Sequence, residues 1–205
     1  MAERGSHVTV PKNATTQAQR ARRQRVIDAG LVLLRDRDYD KIQVKDVAEE
    51  AGVALGTVYN YFSSKDHLFA EVLIAWAATL GSNISRNPLR GSTDVERLTE
   101  VFHRSVRAFQ RQPHLARLVA TLETSSDPFA TEILARLGET TTTVYATAMH
   151  AVDDDTARAI VRVVDAVLAS GLRSWVAGHV PITEVNDRLT EAIALLLRPA
   201  EVTPR

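Results

Sequence analysis

The sequence predicts an all-helical fold of about nine helices, and three observations lead to that prediction. Apolar residues recur at helical spacing along most of the 205 residues, and prolines and glycines fall between those periodic stretches. No run alternates apolar and polar residues over the length of a strand in a way that a helix does not explain better. With 45% hydrophobic residues the chain can bury a core, and its length allows one domain or two.

The N-terminal part is expected to hold an arm and a first long helix. Residues 1–16 are polar and are expected to form a disordered basic arm. A helix is expected from about Gln17, because Ile27, Leu31 and Leu34 share one helical face. A run of alternating arginine and aspartate residues then ends this helix.

Two short helices should follow the first. Apolar residues in 44–51 again share a helical face, and Gly52 breaks the pattern at a position suited to a left-handed turn. A third short helix is expected at about 54–61. The serine pair 63–64 can cap a fourth helix, which has an aspartate in its first turn.

The middle of the chain also has helical periodicity. Stripes of apolar residues cover 68–80 and 95–109. The stretch 81–93 between them contains two glycines, a proline and two asparagines, and it is expected to be a loop. Pro113 and Pro128 suit the first turns of two further helices.

The last two helices are predicted from their start signals. Three aspartates at 153–155 suit a helix N-terminus, and Pro181 with Thr183 starts a final helix that ends near Arg198. Residues 160–176 are apolar on nearly every face. A helix that is apolar on both sides must bury both, so we expect one side to pack against a second copy of the chain.

Two short helices joined by a glycine turn, after a longer helix, are the elements of a helix-turn-helix. One helix of such a unit lies in the DNA major groove while another packs across it. In the third helix Val58 clearly belongs to the core. The residues left pointing outward are Thr57, Tyr59, Asn60 and Tyr61. Hydroxyl and amide groups hydrogen-bond phosphates and base edges, so this is the expected recognition helix.

Residues 47–65, which read VAEEAGVALGTVYNYFSSK, closely resemble the signature of the TetR family of bacterial transcriptional regulators, and the resemblance extends over 27–68. It implies a DNA-binding repressor that is a homodimer through its eighth and ninth helices and has a ligand cavity among its middle helices. Residues 56–68, and in their layout 164–175 and 183–197, also resemble the KstR-type branch of that family, the actinobacterial repressors of sterol catabolism.

The resemblance implies DNA contacts at nine positions: Gln43, Lys45, Leu55, Gly56, Thr57, Tyr59, Asn60, Tyr61 and Lys65. Family members often have a polar residue where this chain has Leu55, which is expected to touch a thymine methyl group instead. Lys65, at the start of the next helix, is expected to contact a phosphate. Four arginines form either a solvated segment or a clamp on phosphates or the minor groove: Arg20, Arg22, Arg23 and Arg25.

The candidate ligand-binding residues are large side chains of the middle helices: Trp76, Phe102, Val106, Phe109, Leu118, Leu122, Leu134, Tyr145 and Met149. Ligand cavities are mostly apolar with a few polar anchors, for which the candidates are Thr121, Thr141 and Tyr145. The expected effector is therefore a mainly apolar small molecule, and the resemblance to the KstR-type branch implies a sterol- or acyl-CoA-type thioester.

These motifs predict how the chain is divided and what it binds. Residues 1–16 are the arm, 17–65 the helix-turn-helix DNA-binding domain, and 66–199 the ligand-binding and dimerisation domain. The expected partners are double-stranded operator DNA, a small apolar ligand and a second copy of the chain, with no membrane.

Three alternatives stay open. Arg104, Arg107 and Arg111 share a helical face that is either solvated or a site for an anionic head group, such as the phosphates of an acyl-CoA. A DNA-binding regulator without a ligand would have a filled interior. An enzyme with no recognisable motif is disfavoured, because the chain has no P-loop, G-x-S-x-G, H-E-x-x-H or dinucleotide-binding pattern.

Composition excludes several other classes. The chain has no cysteine, and its histidines lack metal-ligand spacing, so neither a metal nor a cofactor is expected. Net charge is zero, but residues 1–65 hold 11 basic and 8 acidic side chains, which suits a surface that faces a polyanion. No apolar run reaches about 18 residues and no signal peptide is recognisable, so a cytoplasmic protein is expected.

Overall fold

The computed structural model describes residues 12–198, with side chains for 17–82 and 86–198. That part of the chain contains nine α-helices and no strand, which confirms the all-helical prediction. The helices are α1 (Lys12–Leu33), α2 (Val44–Glu50), α3 (Leu55–Tyr59), α4 (Lys65–Arg86), α5 (Asp94–Arg111), α6 (Pro113–Leu122), α7 (Pro128–Ala146), α8 (Asp154–Val176) and α9 (Ile182–Leu196). One 3₁₀ turn, Tyr39–Lys41, lies between α1 and α2.

The first helix starts earlier than its periodicity predicts. α1 begins at Lys12 rather than near Gln17, so the end of the expected disordered arm is helical. Residues 13–19 lack proline and glycine, so no strong helix breaker opposes the extension of α1 toward Lys12. The rest of the expected arm, 1–11, lies outside the described residues, as does 199–205.

The loop predicted for 81–93 is wrong in its first part, because α4 continues to Arg86 and the loop covers 87–93. A glycine inside a helix costs about 1 kcal/mol relative to alanine. α4 packs along α7 and also contacts α1, α5 and α6. This tertiary packing outweighs the local preference, and Gly81 itself faces open space.

α1, α2 and α3, with the segments that connect them, form a three-helix unit that we call the head. Its core includes Val26, Ile27, Val47 and Val58, each at most 2% exposed. Gly52 joins α2 to α3 with a φ of +63°, the left-handed conformation that the sequence predicts at this turn. Because α1 also packs against α4, the head is held on the remainder of the molecule.

α4 to α9 form the larger unit, the body. α8 packs against α9, α5 against α9, and α7 against both α4 and α8. Pro113 and Pro128 are the first residues of α6 and α7, as predicted. Asp153 caps α8 by accepting a hydrogen bond from the Thr156 amide (2.9 Å). Among the described residues no helix is long and apolar enough to cross a membrane.

Candidate DNA-binding surface and ligand cavity

α3 is anchored by one face and exposes the other. Val58 in α3 and Phe62 just after it are at most 1% exposed, so they fix the helix on α2 and the rest of the head. On the opposite face Tyr59 is 52% and Leu55 43% exposed. A Cβ added at Gly56 would meet nothing within 4 Å, so this part of α3 can approach another surface closely. The helix therefore has the geometry expected of a recognition helix.

The nine predicted DNA contacts lie on α2, α3 and the segments beside them, up to the start of α4, and they differ in exposure. Six are exposed: Gln43, Lys45, Leu55, Gly56, Tyr59 and Asn60. The other three are half-buried: Thr57, Tyr61 and Lys65. Tyr61 packs against the core and its ring contacts Phe62, so it does not point freely outward as the sequence suggests. Contact with DNA stays a prediction for all nine.

Lys65 has protein partners of its own. Its ammonium group donates a hydrogen bond to the Tyr39 carbonyl (2.6 Å) and lies 3.8 Å from the centre of the Tyr39 ring. Burial lowers the pKa of Lys65 from its usual value, although three neighbouring aspartates oppose the shift. Lys65 therefore joins the start of α4 to the 3₁₀ turn of the head, and a phosphate would have to share its ammonium group with Tyr39.

The four arginines grouped as a possible clamp lie on α1 and not on a free arm. Arg23 pairs with Glu71 of α4 at 2.7 Å, and its guanidinium lies 5.1 Å from the centre of the Phe62 ring. This side chain fastens α1 to α4. The other three are exposed on the helix surface: Arg20, Arg22 and Arg25.

Two clusters of side chains join the head to the body. Asp38, which follows α1, lies 2.6 Å from Nδ1 of His114 and accepts a hydrogen bond from Arg117 (3.1 Å), both on α6. The hydrogen bond to His114 and the charge of Arg117 lower the pKa of Asp38. Asp66, at the start of α4, accepts a hydrogen bond from the Tyr39 hydroxyl of the head and another from Ser125, in the loop before α7.

A cavity of about 950 Å³ lies between α1, α4 and α5, and we call it the basic cavity. Its wall carries five arginines and one acidic side chain, Glu100. The five are Arg35, Arg90, Arg104, Arg107 and Arg111. Arg104 pairs with Glu100 at 2.8 Å and Arg107 approaches the same carboxylate at 3.4 Å. Arg35, Arg90 and Arg111 have no hydrogen-bond or ion-pair partner for their side chains within the described residues, so the cavity carries a net positive charge.

A second cavity, of about 180 Å³, lies deeper among α4, α5, α7 and α8, and we call it the central cavity. It shares Trp76 and Leu80 of α4 with the basic cavity. The Trp76 and Phe109 rings lie 4.8 Å apart at its edge. A third cavity of about 480 Å³, between α4 and α7, shares Leu80, Leu137, Thr141 and Tyr145 with the central one. The central cavity thus shares wall residues with each of the other two cavities.

Four of the nine predicted ligand-binding residues line the central cavity: Trp76, Phe109, Leu134 and Tyr145. Of the candidate polar anchors, Thr141 and Tyr145 line it, whereas the hydroxyl of Thr121 is outside its wall and donates to the Arg117 carbonyl (3.1 Å). The other five predicted residues are buried in the core and are not part of the cavity wall: Phe102, Val106, Leu118, Leu122 and Met149. Periodicity finds which side chains are buried but not which of them border a space.

Three polar side chains in the wall of the central cavity are not among the ligand-binding residues predicted from the sequence: Ser105, Glu123 and Asp165. Asp165 is the one with a signal in the sequence, because it interrupts the apolar stretch of α8. Burial, with a smaller contribution from the charge of Glu123, raises the pKa of Asp165 to about 6. Burial likewise raises the pKa of Tyr145 to about 12.

A head that exposes a short third helix, joined to a helical body with internal cavities, defines a helix-turn-helix regulator with a ligand-binding domain. Residues 26–72 match the family model for bacterial regulatory proteins of the tetR family. Residues 91–196 match the model for the tetracyclin repressor-like C-terminal domain. The chain belongs to the TetR family of transcriptional regulators.

Individual proteins agree with this assignment. The chain is 32% identical over 187 residues to the HTH-type transcriptional repressor KstR of Mycolicibacterium smegmatis, covering 91% of this chain and 92% of that protein. A TetR transcriptional regulator from Rhodococcus sp. RHA1 has a TM-score of 0.78 at 23% identity, covering 89% of this chain and 99% of that one. Thermus thermophilus FadR, solved in complex with lauroyl-CoA, has a TM-score of 0.67 at 19% identity, covering 89% of this chain and 97% of that one. The two solved structures share the fold of this chain.

Proposed function

We propose that this TetR-family protein is a repressor that binds operator DNA as a homodimer and is released by a thioester with an anionic head and an apolar body. Residues 17–65 would bind the DNA and residues 66–199 the effector and the second subunit. The M. smegmatis relative bears the name of a transcriptional repressor, which supports this mode of action. A regulator of chromosomal operators would act in the cytoplasm.

The observation that carries the effector class is that the basic and central cavities share Trp76 and Leu80 in their walls. Guanidinium groups bind phosphates through paired, charge-assisted hydrogen bonds, and three arginines of the basic cavity have no partner among the described residues. Apolar side chains beyond Trp76 suit an acyl or ring system. A coenzyme A thioester has both parts in one molecule, and the similar FadR fold was solved with one such compound.

α4 is the element through which the effector would act on DNA. It borders all three cavities, and it begins at Lys65 and Asp66, which contact the head. An effector that binds better to one tilt of α4 shifts the population toward that tilt. In a dimer this changes the separation of the recognition helices, which must match half-sites about 34–36 Å apart. Operator DNA must weaken effector binding by the same factor.

The second subunit would cover the outer face of α8 and α9. Val163 is 50% exposed and Leu195 58% exposed there, although both are large apolar residues. We expect wild type to be a dimer in multi-angle light scattering and Val163→Glu with Leu195→Glu to be a monomer that loses operator affinity, since two buried charges oppose association. Val32→Glu, on a 39% exposed valine of α1, is the matched control and should stay dimeric.

Calorimetry with lauroyl-CoA tests the effector class. Arg90→Ala with Arg111→Ala should weaken binding at least about tenfold, because each charge-assisted hydrogen bond is worth about 1.5–3 kcal/mol. Arg20→Ala, an exposed arginine of α1, is the control and should bind like wild type. Lauroyl-CoA should also release a fragment of the protein's own promoter in a gel-shift titration. A protein that binds the promoter but no acyl-CoA would favour a regulator without this class of ligand.

A further inference from the structure

The central cavity has an acidic group that nothing in the protein satisfies. Asp165 of α8 lines this cavity, yet within the described residues its side chain has no hydrogen bond and no ion pair. Its acidic neighbour in the wall, Glu123, is different, because Arg173 pairs with that carboxylate. Moving an unpaired carboxylate out of water costs several kcal/mol, so such a group is uncommon unless a ligand uses it.

Tyr145 adds a second hydrogen-bond acceptor to the same wall. The Ser105 hydroxyl lies 3.2 Å from the Val101 carbonyl and 2.6 Å from the Tyr145 hydroxyl. Either hydroxyl can donate in the contact between Ser105 and Tyr145. In both cases the Tyr145 oxygen keeps at least one lone pair that can accept a further hydrogen bond. The polar side of the cavity therefore presents the Asp165 carboxylate beside the Tyr145 oxygen, and both can accept hydrogen bonds.

Resting on the function proposed above, we propose that Asp165 and Tyr145 form a polar anchor that accepts hydrogen bonds from a hydroxyl group on the apolar part of the effector. The surroundings of the anchor are apolar or aromatic, among them Leu73, Leu134 and Leu168. A ligand without the hydroxyl would leave the carboxylate desolvated and unpaired. The cavity thus selects hydroxylated acyl or ring systems over their deoxy counterparts.

A hydroxyl fits the wall better than an ammonium group does. The arginines of the adjoining basic cavity repel a cationic ligand at the charged end and attract an anionic one. Arg173 neutralises Glu123, so Asp165 is the only unpaired acidic group in the wall of the central cavity. A neutral donor satisfies one carboxylate and one phenol oxygen without adding a second buried charge.

Matched pairs of thioesters test the anchor. The probes are octanoyl-, decanoyl- and lauroyl-CoA, each with its ω-hydroxy counterpart, titrated into the full-length protein by calorimetry. Quenching of Trp76, which lines the cavity, is a second readout. At the chain length that reaches the anchor, the ω-hydroxy thioester should bind wild type at least about tenfold more tightly than the unsubstituted thioester of the same length. A difference of this size is expected for a hydrogen bond to a charged group.

Asp165→Leu should bring the ratio of the affinities of the two probes close to one, chiefly by weakening the binding of the hydroxylated probe. Tyr145→Phe should lower the same ratio by a smaller amount. Asp165→Leu removes an unpaired, half-buried charge, so it should also raise the melting temperature, which verifies that the variant folds. Equal affinity of every pair for wild type would overturn the anchor and leave the acyl-CoA proposal intact. Failure of all six probes to bind would overturn both.

Discussion

The head and the body of this regulator differ in where they keep their functional groups. The head closes its core, with Val58 and Phe62 at most 1% exposed, and places its polar and aromatic contacts outside. The body leaves spaces of about 180–950 Å³ beside its helices and places charged and polar groups around them. We therefore expect DNA recognition to depend on the closely packed core that supports α3, and effector recognition to depend on the cavities beside the helices of the body.

The two regions meet through polar contacts at several points. Asp38 of the head faces His114 and Arg117 of α6. Tyr39 of the head donates a hydrogen bond to Asp66 of α4, and Arg23 of α1 pairs with Glu71 of α4. α4 and α6 both contribute to the wall of the central cavity and contact the head. A ligand-dependent change in the body can thus reach the recognition helix along α4 and α6 without a change in the core of the head.

The largest effect should come from opening the closed core of the head. Phe62→Ala should lower the free energy of unfolding by about 3–5 kcal/mol, because it leaves a cavity at a fully buried site. Phe129→Ala is the matched control in the body, where the ring is 49% exposed, and should cost less than about 1 kcal/mol. Urea denaturation measures both, and similar losses would contradict the contrast between the two regions.

The next effect concerns the unpaired carboxylate of the body. Burial raises the folded-state pKa of Asp165 to about 6, above its unfolded value, so the folded protein binds that proton more tightly. The carboxylate then destabilises the fold increasingly as pH rises from about 4 to about 6, and by a constant amount above that. Asp165→Asn should therefore raise the free energy of unfolding by about 2 kcal/mol at neutral pH.

The pH dependence is the sharper part of this prediction. The gain in stability from Asp165→Asn should be roughly 1 kcal/mol smaller at pH 5 than at pH 7.5. Asp187→Asn is a control on α9, since no cavity wall described above includes it. A gain that did not change with pH would mean that Asp165 is not a desolvated acid in the folded protein. Thermal unfolding at the two pH values decides the question.

A smaller effect is expected on the open face of the head. Tyr59→Ala and Asn60→Ala should each weaken operator binding by about 1–2 kcal/mol, with a part that depends on base sequence. If the Lys65 ammonium group also reaches a phosphate, Lys65→Ala should weaken binding to DNA of every sequence. It should also reduce by about one the slope of the logarithm of the binding constant against the logarithm of salt concentration. Thr140→Ala, exposed on α7, is the control. Variants of Tyr59 and Asn60 that bind the promoter fragment like wild type would rule out α3 as the recognition helix.

The smallest effect should appear where head and body touch. A double-mutant cycle of Asp38→Asn and His114→Ala should give a coupling of about 0.5–1 kcal/mol, the usual size for a partly exposed pair. Because the pKa of Asp38 is lowered, this coupling should be present at neutral pH and be lost as pH falls through the folded-state pKa. A coupling of zero at neutral pH would show that the contact stabilises nothing.

Much of the head could be predicted from the sequence, because its signals are local. Gly52 at the turn, Val58 in the core and the exposed Tyr59 follow from spacing within about two helical turns. The local pattern does not show that Tyr61 packs against the core. Nor does it show that Lys65 donates a hydrogen bond to the Tyr39 carbonyl, because contacts between distant positions leave no mark on local periodicity.

In the body the sequence determined the helices and their buried faces, and the tertiary structure decided which buried faces border empty space. Phe102 and Phe109 lie on the same predicted stripe, yet Phe102 fills the core and Phe109 lines the central cavity. Asp165 stands out in the sequence of α8 only as an interruption, and only the structure shows that it lines the central cavity while Arg173 pairs with Glu123. Hydrophobic periodicity encodes the direction in which a side chain points, but the distance to the next helix is set by how all the helices pack together.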